Sequence, residues 1–296
     1  MSLRIINPKA LQQQQHTKYP QCPINNLHQL PNIFKSKNCI VYVDSTHNKC
    51  YKKSKNNKHE LNILSEIKNL SHVINPLGIY SQLDNNILYY VIELPLYKMD
   101  LFTYIFENLG ETTSKTNITE NQIIFLIKQI LLGLESLHNV EIIHKDIKPE
   151  NILLDENYNI VITDFGNAES SKYKLNYNYG TEAYIPPEYF KYEIISSKYD
   201  IWSCGCILYT MLYSYMIWCS DLDVRCSDVI VNDPIIYYNT RSPNLIKLCK
   251  MLLYKDPNQR ATTQELLLQI NDIERINKSD LLADIQLNLL FCNSVF

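Results

Sequence analysis

An α+β fold is predicted, with strands gathered in the first third of the chain and helices filling most of the remainder. Three patterns carry that prediction. Apolar residues alternate through positions 33–34, 40–43 and 50–52 around the polar turn 44–48, which is a hairpin signal, and residues 87–94 form a further apolar, tyrosine-bearing strand. Leu61, Ile63, Leu64 and Ile67 make one short helical stripe. Ile123, Leu126, Ile127, Ile130, Leu131, Leu134 and Leu137 then recur at helical spacing behind Thr119-Glu120-Asn121-Gln122, a capping box.

Taken in order, residues 1–30 hold Pro8, Pro20, Pro23 and the run Gln12-Gln13-Gln14-Gln15 without a helical or strand period, which reads as a flexible N-terminal arm. The hairpin and the short helix follow, then Val73-Ile74-Asn75-Pro76-Leu77-Gly78 and the strand that runs up to Pro95. Asp100 suits the N-cap of a helix starting at Leu101. Polar residues 111–117 connect to the long helix, which closes at His138-Asn139. Ile152-Leu153-Leu154 and Ile160-Val161-Ile162 flank the turn 155–159 as a short hairpin. Residues 214–243 show few regular periods, and no element is placed there. Ser279-Asp280 caps a C-terminal amphipathic helix through Leu281, Leu282, Ile285, Leu289 and Leu290, which is expected to pack on the parent domain.

At 296 residues and 34.7 kDa the chain can form one large domain or two lobes, and 46% hydrophobic residues suit a sizeable core. A net charge of −3 gives no support to a nucleic-acid partner or a polybasic membrane contact. Nine cysteines without a C-x-x-C pair suggest reduced thiols and a cytoplasmic location, with nuclear access open; Cys204 and Cys206 read as core. No stretch reaches the ~18 consecutive apolar residues of a spanning helix. Met1-Ser2-Leu3-Arg4 shows neither a signal-peptide core nor the glycine that myristoylation needs. A monomer is expected.

Chemistry concentrates in His144-Lys145-Asp146-Ile147-Lys148-Pro149-Glu150-Asn151, followed by Asp164-Phe165-Gly166. Phosphoryl transfer needs a group to orient the attacking hydroxyl, a cation for the moving phosphate and oxygen donors for a divalent ion. Asp146, Lys148, Asn151 and Asp164 supply those residue types in that order. The spacing resembles the signature set of the eukaryotic-type serine/threonine protein kinases, with Lys145 in place of the loop arginine. Gly180-Thr181-Glu182-Ala183-Tyr184-Ile185-Pro186-Pro187-Glu188 resembles the end of that family's activation segment. Asp200-Ile201-Trp202-Ser203-Cys204-Gly205 resembles its D-x-W-x-x-G helix, and Arg260 the arginine that pairs with Glu188.

The resemblance implies a bilobal protein-kinase fold over residues 31–272. The N-lobe (about 31–94) would be a small antiparallel sheet with one helix, the C-lobe (about 95–272) mainly helical, and residues 273–296 a helical extension. It implies transfer of the ATP γ-phosphate to Ser/Thr hydroxyls of protein substrates with Mg²⁺, or Mn²⁺ as the alternative ion. Asp146 would be the base, Lys148 would stabilise the transferring phosphate, and Asn151 and Asp164 would hold the metal. Lys52, on one strand face with Cys50, would contact the nucleotide phosphates with Glu60 as its partner; Lys53 and Glu66 are the rivals. Ile33, Val41, Cys50, Leu153 and Ile92 (the gatekeeper position) would line the nucleotide pocket. Glu93 and Leu94 would present backbone groups to adenine, and Asp100 would lie near the ribose. Thr181 would hold Asp146 and Lys148, and Asp200 would anchor the loop backbone from a buried helix reaching Tyr213. His144 is a structural hydrogen-bonding residue in this reading. Ser170, Ser171, Tyr173, Tyr177 and Tyr179 are candidate phosphosites of the activation segment, with exposed loop hydroxyls as the plainer reading of each. Lys145, a point charge where an arginine would fork, predicts weak coupling to their phosphorylation.

Two departures from the family pattern stand out. Phe34, Ser36 and Cys39 occupy the places of the three phosphate-loop glycines, and Pro95 lacks a hinge N–H, as in the Pim kinases. The missing glycines admit an alternative, a pseudokinase acting as scaffold or regulator. Retention of all four polar groups at the transfer centre argues for catalysis.

Overall fold

The computed structural model describes residues 18–24, 26–55, 58–107, 117–170, 180–192, 194–214, 226–238 and 241–276. Its first lobe is built on an antiparallel sheet of β1 (Asn32–Lys35), β2 (Cys39–Asp44), β3 (Lys49–Lys55), β4 (Gly78–Asp84) and β5 (Ile87–Pro95), in the order β1-β2-β3-β5-β4. Directly paired residues on neighbouring strands share a face. Val41, Lys52, Ile92 and Ile79 are such partners, and alternation puts Cys50 and Leu94 beside them. Helix α1 (Lys58–Glu66) follows β3 and buries Glu60, Leu61, Ile63 and Leu64.

The opposite face of the sheet carries Tyr42, Tyr51 and Val91, which form a second apolar cluster with Cys22 and Leu27. The flexible arm expected over residues 1–30 is therefore corrected for its second part. The Ser81 N–H donates to the Pro20 carbonyl at 2.7 Å and the Cys22 N–H to the Ser81 carbonyl at 2.9 Å. This backbone bridge to β4 needs no sequence period, which is why the pattern missed it. Gln12 to Gln15 lie outside the described residues.

The second lobe contains β6 (Met99–Asp100), α2 (Leu101–Glu107), α3 (Glu120–Asn139), β7 (Ile142–Ile143), β8 (Ile152–Leu154), β9 (Ile160–Ile162) and β10 (Glu169–Ser170). Then come α4 (Pro187–Tyr192), α5 (Ser197–Tyr213), α6 (Cys226–Asn232), α7 (Pro243–Leu252) and helical residues 263–276. The two-lobed α+β arrangement is the one expected. Helix α3 starts at the anticipated capping box: Thr119 Oγ1 accepts from the Gln122 N–H, and Gln122 Oε1 accepts from the Thr119 N–H. Helix α5 is buried on all sides, Cys204 and Cys206 included, and forms the centre of this lobe with α3 and α7. The lobes join where the Ile74 N–H donates to the Ile162 carbonyl and the Ile162 N–H to the His72 carbonyl, each at 2.9 Å. Within 214–243, where no element was placed, α6 appears. The helix foreseen from Ser279 lies outside the described residues.

Candidate active site

The loop between β7 and β8 is held by one buried carboxylate. Asp200, fully buried on α5, accepts from the His144 and Lys145 N–H groups and from His138 Nε2, all at 2.9 Å. Burial alone would raise its carboxyl, but the His138 hydrogen bond and the backbone donors hold it below the usual carboxylate range. His144 is buried as well. Its Nδ1 accepts from the Asp146 N–H at 3.3 Å, which leaves Nε2 to donate to the Thr163 carbonyl at 2.9 Å. The ring therefore braces the loop against the residue before Asp164, as the structural reading of His144 anticipated.

Asp146 collects several donors. Its Oδ1 accepts from the Thr181 N–H (3.0 Å) and hydroxyl (2.9 Å), and its Oδ2 accepts from Asn151 Nδ2 at 3.2 Å. Lys148 Nζ lies 2.7 Å from Thr181 Oγ1 and 3.3 Å from Asp146 Oδ2. Asn151 Nδ2 also donates to the Asp146 carbonyl at 2.8 Å, so its amide oxygen faces away from Asp146. Gly180 permits this approach of the activation segment: a Cβ there would meet the Lys145 carbonyl oxygen at 2.2 Å. Asp164 and Lys145 both adopt left-handed backbone conformations, with φ of 63° and 66°, which non-glycine residues hold only when their surroundings enforce it.

From the first lobe, Lys52 Nζ lies 2.7 Å from Glu60 Oε1 and 2.7 Å from Asp164 Oδ1. Burial works against the ammonium, but the two carboxylates outweigh it and hold the Lys52 pKa above its ordinary value. Asp164 moves the other way: burial opposes its charge and Lys52 more than offsets that, so its pKa is lowered. The rivals sit elsewhere. Lys53 is on the opposite strand face, 3.1 Å from Asp84, and Glu66 is exposed.

The nucleotide-side residues divide. Val41, Cys50, Ile92 and Leu94 share the Lys52 face, and Leu153 is half-buried on β8 opposite Asp100. Ile33 sits at an irregularity in the β1–β2 register and is 70% exposed, whereas its neighbour Phe34 pairs with Val41 and so takes the Lys52 face. The family pattern gives Phe34 a glycine's place, whereas the bulge turns it to the Lys52 face. Glu93 turns its side chain to the opposite face, bound by Lys49 (2.6 Å) and Tyr80 (2.8 Å), and its carbonyl already accepts from the Leu77 N–H at 2.8 Å. Asp100 caps α2, its Oδ1 accepting from the Thr103 N–H at 2.7 Å. Ser170 is buried on β10, which corrects its placement as an open loop hydroxyl; Ser171, Tyr173, Tyr177 and Tyr179 lie outside the described residues.

The turn between β1 and β2 explains how a phosphate-side loop closes without glycine. The Ser36 N–H donates to the Cys39 carbonyl at 2.8 Å, and the Cys39 N–H donates to Ser36 Oγ at 3.1 Å. The serine side chain completes the turn, and the two amides are bonded within it, one to the Cys39 carbonyl and one to Ser36 Oγ. Farther off, Arg260 forks onto Glu188 at 2.6 and 2.9 Å with both side chains buried, the pairing expected for them.

The family description "Protein kinase domain" matches residues 33–269 of this chain. The chain is similar to the phosphorylase b kinase gamma catalytic chain, liver/testis isoform, of Bos taurus: 28% identical over 223 residues, which is 71% of this chain and 52% of that one. It is similar to the SNF1-like protein kinase ssp2 of Schizosaccharomyces pombe, 31% identical over 170 residues, 56% of this chain and 28% of the relative. It is also similar to the serine/threonine-protein kinase PKH1 of Saccharomyces cerevisiae, 34% identical over 176 residues, 53% and 23% of the respective chains. The chain thus spans about a quarter to a half of the length of these relatives. They are named as kinases, and nothing among them supports the scaffold alternative.

Proposed function

This chain belongs to the protein kinase family, and on that premise we propose that it moves the γ-phosphate of ATP to Ser/Thr hydroxyls of protein substrates. The observation that carries the reading is the Thr181 hydroxyl, which binds Asp146 and Lys148 together at 2.9 and 2.7 Å. That one contact joins the end of the activation segment to a carboxylate and an ammonium set side by side.

Asp146 orients the attacking hydroxyl and accepts its proton. Lys148 offers positive charge where it develops on the transferring phosphate. Lys52, positioned by Glu60, holds the nucleotide phosphates. Among the described residues no group of three or more His, Cys, Asp or Glu side chains suits a metal by itself. Mg²⁺ does not require one, since it binds through one or two carboxylates completed by substrate phosphates and water. Asp164, kept ionised beside Lys52, and Asn151, its amide oxygen turned from Asp146, are hard oxygen donors that fit such an ion. Mg²⁺ or Mn²⁺ held there would neutralise phosphate charge as it moves. Among the described residues Cys22, Cys39, Cys50, Cys204, Cys206 and Cys249 are not disulfide-bonded, which agrees with the reducing, cytoplasmic setting proposed for this activity.

The test is incubation of the purified protein with labelled Mg-ATP and a generic basic protein, beside an Asp146→Asn control, followed by phosphoamino-acid analysis. Label on serine or threonine from the wild type alone is expected. Equal signal from both proteins would overturn the reading. Stabilisation by ATP in a thermal melt separately tests the glycine-free loop, because a ligand that binds the native state raises its apparent stability.

A further inference from the structure

The segment following Asp164-Phe165-Gly166 is gripped at two consecutive residues by the two elements that carry the candidate site. His59 Nε2 lies 2.6 Å from the Ala168 carbonyl, so that nitrogen is the protonated donor. Lys145 Nζ lies 3.2 Å from Glu169 Oε1, with the two side chains 1% and 8% exposed. His59 is the neighbour of Glu60, and Lys145 is the neighbour of Asp146. One short stretch of backbone therefore ties the helix that presents Glu60 to the loop that presents Asp146.

Further contacts converge on the same point. Glu169 pairs with Ile143 across β10 and β7, the strand that leads into the loop. The left-handed Lys145 backbone is enforced by Asp200 on its N–H. Its carbonyl leaves room only for glycine at position 180. Lys145 thus fixes the start of the activation segment with its side chain and abuts the end with its carbonyl.

We infer that Lys145–Glu169 and His59–Ala168 form a clamp that positions the activation segment for transfer with no phosphoryl group on it. The inference rests on the kinase reading above. A loop phosphate organises a segment by giving a buried cation its anion. Here Glu169, a carboxylate supplied by the chain itself, already occupies that role toward Lys145. Breaking a buried pair from one side strands the other charge, whereas removing both charges relieves the penalty. That asymmetry separates a positioning role from a purely structural one.

The experiment compares the wild type, before and after phosphatase treatment, with Lys145→Met, the double variant Lys145→Met/Glu169→Leu, His59→Ala and His59→Gln, in steady-state kinetics and thermal melts. Lys145→Met is expected to lower both melting temperature and kcat. The double variant should recover most of the melting temperature while kcat stays down by about tenfold or more. His59 is exposed, so His59→Ala should leave the melt unchanged and raise KM for ATP by about threefold or more, with Gln restoring it through its own N–H donor. Phosphatase-treated wild type should retain its rate. Recovery of kcat together with stability in the double variant, an unchanged KM in His59→Ala, or loss of activity on phosphatase treatment would each overturn the clamp. A wild type no more active than Asp146→Asn would instead overturn the underlying kinase reading.

Discussion

Around Asp146 the polar groups are held from several directions: Asn151 and Lys148 act from the same loop, while Thr181 of the activation segment and Asp200 beneath the backbone are remote in sequence. At the β1–β2 turn the bonds are short-range, with Ser36 closing on Cys39, and the flanking Ile33 and Phe34 stand 70% and 53% exposed. The second-lobe side is over-determined, and the first-lobe side is closed locally. The lesson concerns where phosphate recognition resides. With the Ser36 and Cys39 amides bonded within the turn, the proposed function leaves phosphate binding to side chains, Lys52 and Lys148 among them.

The contrast can be broken at its strong end first. Asp146→Asn keeps the shape but removes the proposed base, so kcat should fall by about 10²–10⁴-fold, and the melt should fall modestly because an NH2 replaces one of the two accepting oxygens. Arg260→Met strands the buried Glu188 carboxylate, and chemical denaturation should show a loss of about 3–5 kcal/mol. The acid limb of stability sharpens the same side. Asp200 has a lowered folded pKa, so its contribution is complete above the unfolded value of 3.8 and is lost as pH falls through the lowered folded value. Unfolding free energy should therefore drop as the solution is acidified below 3.8, and Asp200→Asn should flatten that slope. At the weak end, Ser36→Ala removes the two exposed hydrogen bonds that its hydroxyl makes with Cys39. It should change stability by no more than about 1 kcal/mol, with the clearest readout in KM for ATP.

How far the sequence was legible follows the same division. Asp146, Lys148, Asn151 and Asp164 stand on a short loop and the hairpin beyond it, so their spacing alone brought them together. Lys52 and Glu60 were reachable through the family resemblance, with strand alternation setting Lys52 beside Cys50 and the spacing to residues 73–78 pointing to Glu60. Ile33 and Phe34 were not, because a bulge shifts the two-residue period and hands one residue's face to the next. Residues 18–24 escaped notice because they attach through backbone groups to Ser81. The Lys145–Glu169 pair escaped because a lone charge in a string does not announce a buried partner on a distant strand.

β3 ends at Lys55 and α1 begins at Lys58, so two residues, 56 and 57, bridge strand and helix. With about 3.8 Å between consecutive Cα atoms, the Cα atoms of Lys55 and Lys58 stay within about 11 Å of each other by any path. Glu60 rides in the first turn, beside that attachment. Glu60 stands two residues from the start of the helix, and Ile67 lies just past its last residue, Glu66. The 2.7 Å contact of Lys52 with Glu60 is thus made at the β3 end of α1, whereas the joint at His72 and Ile162 lies past its other end.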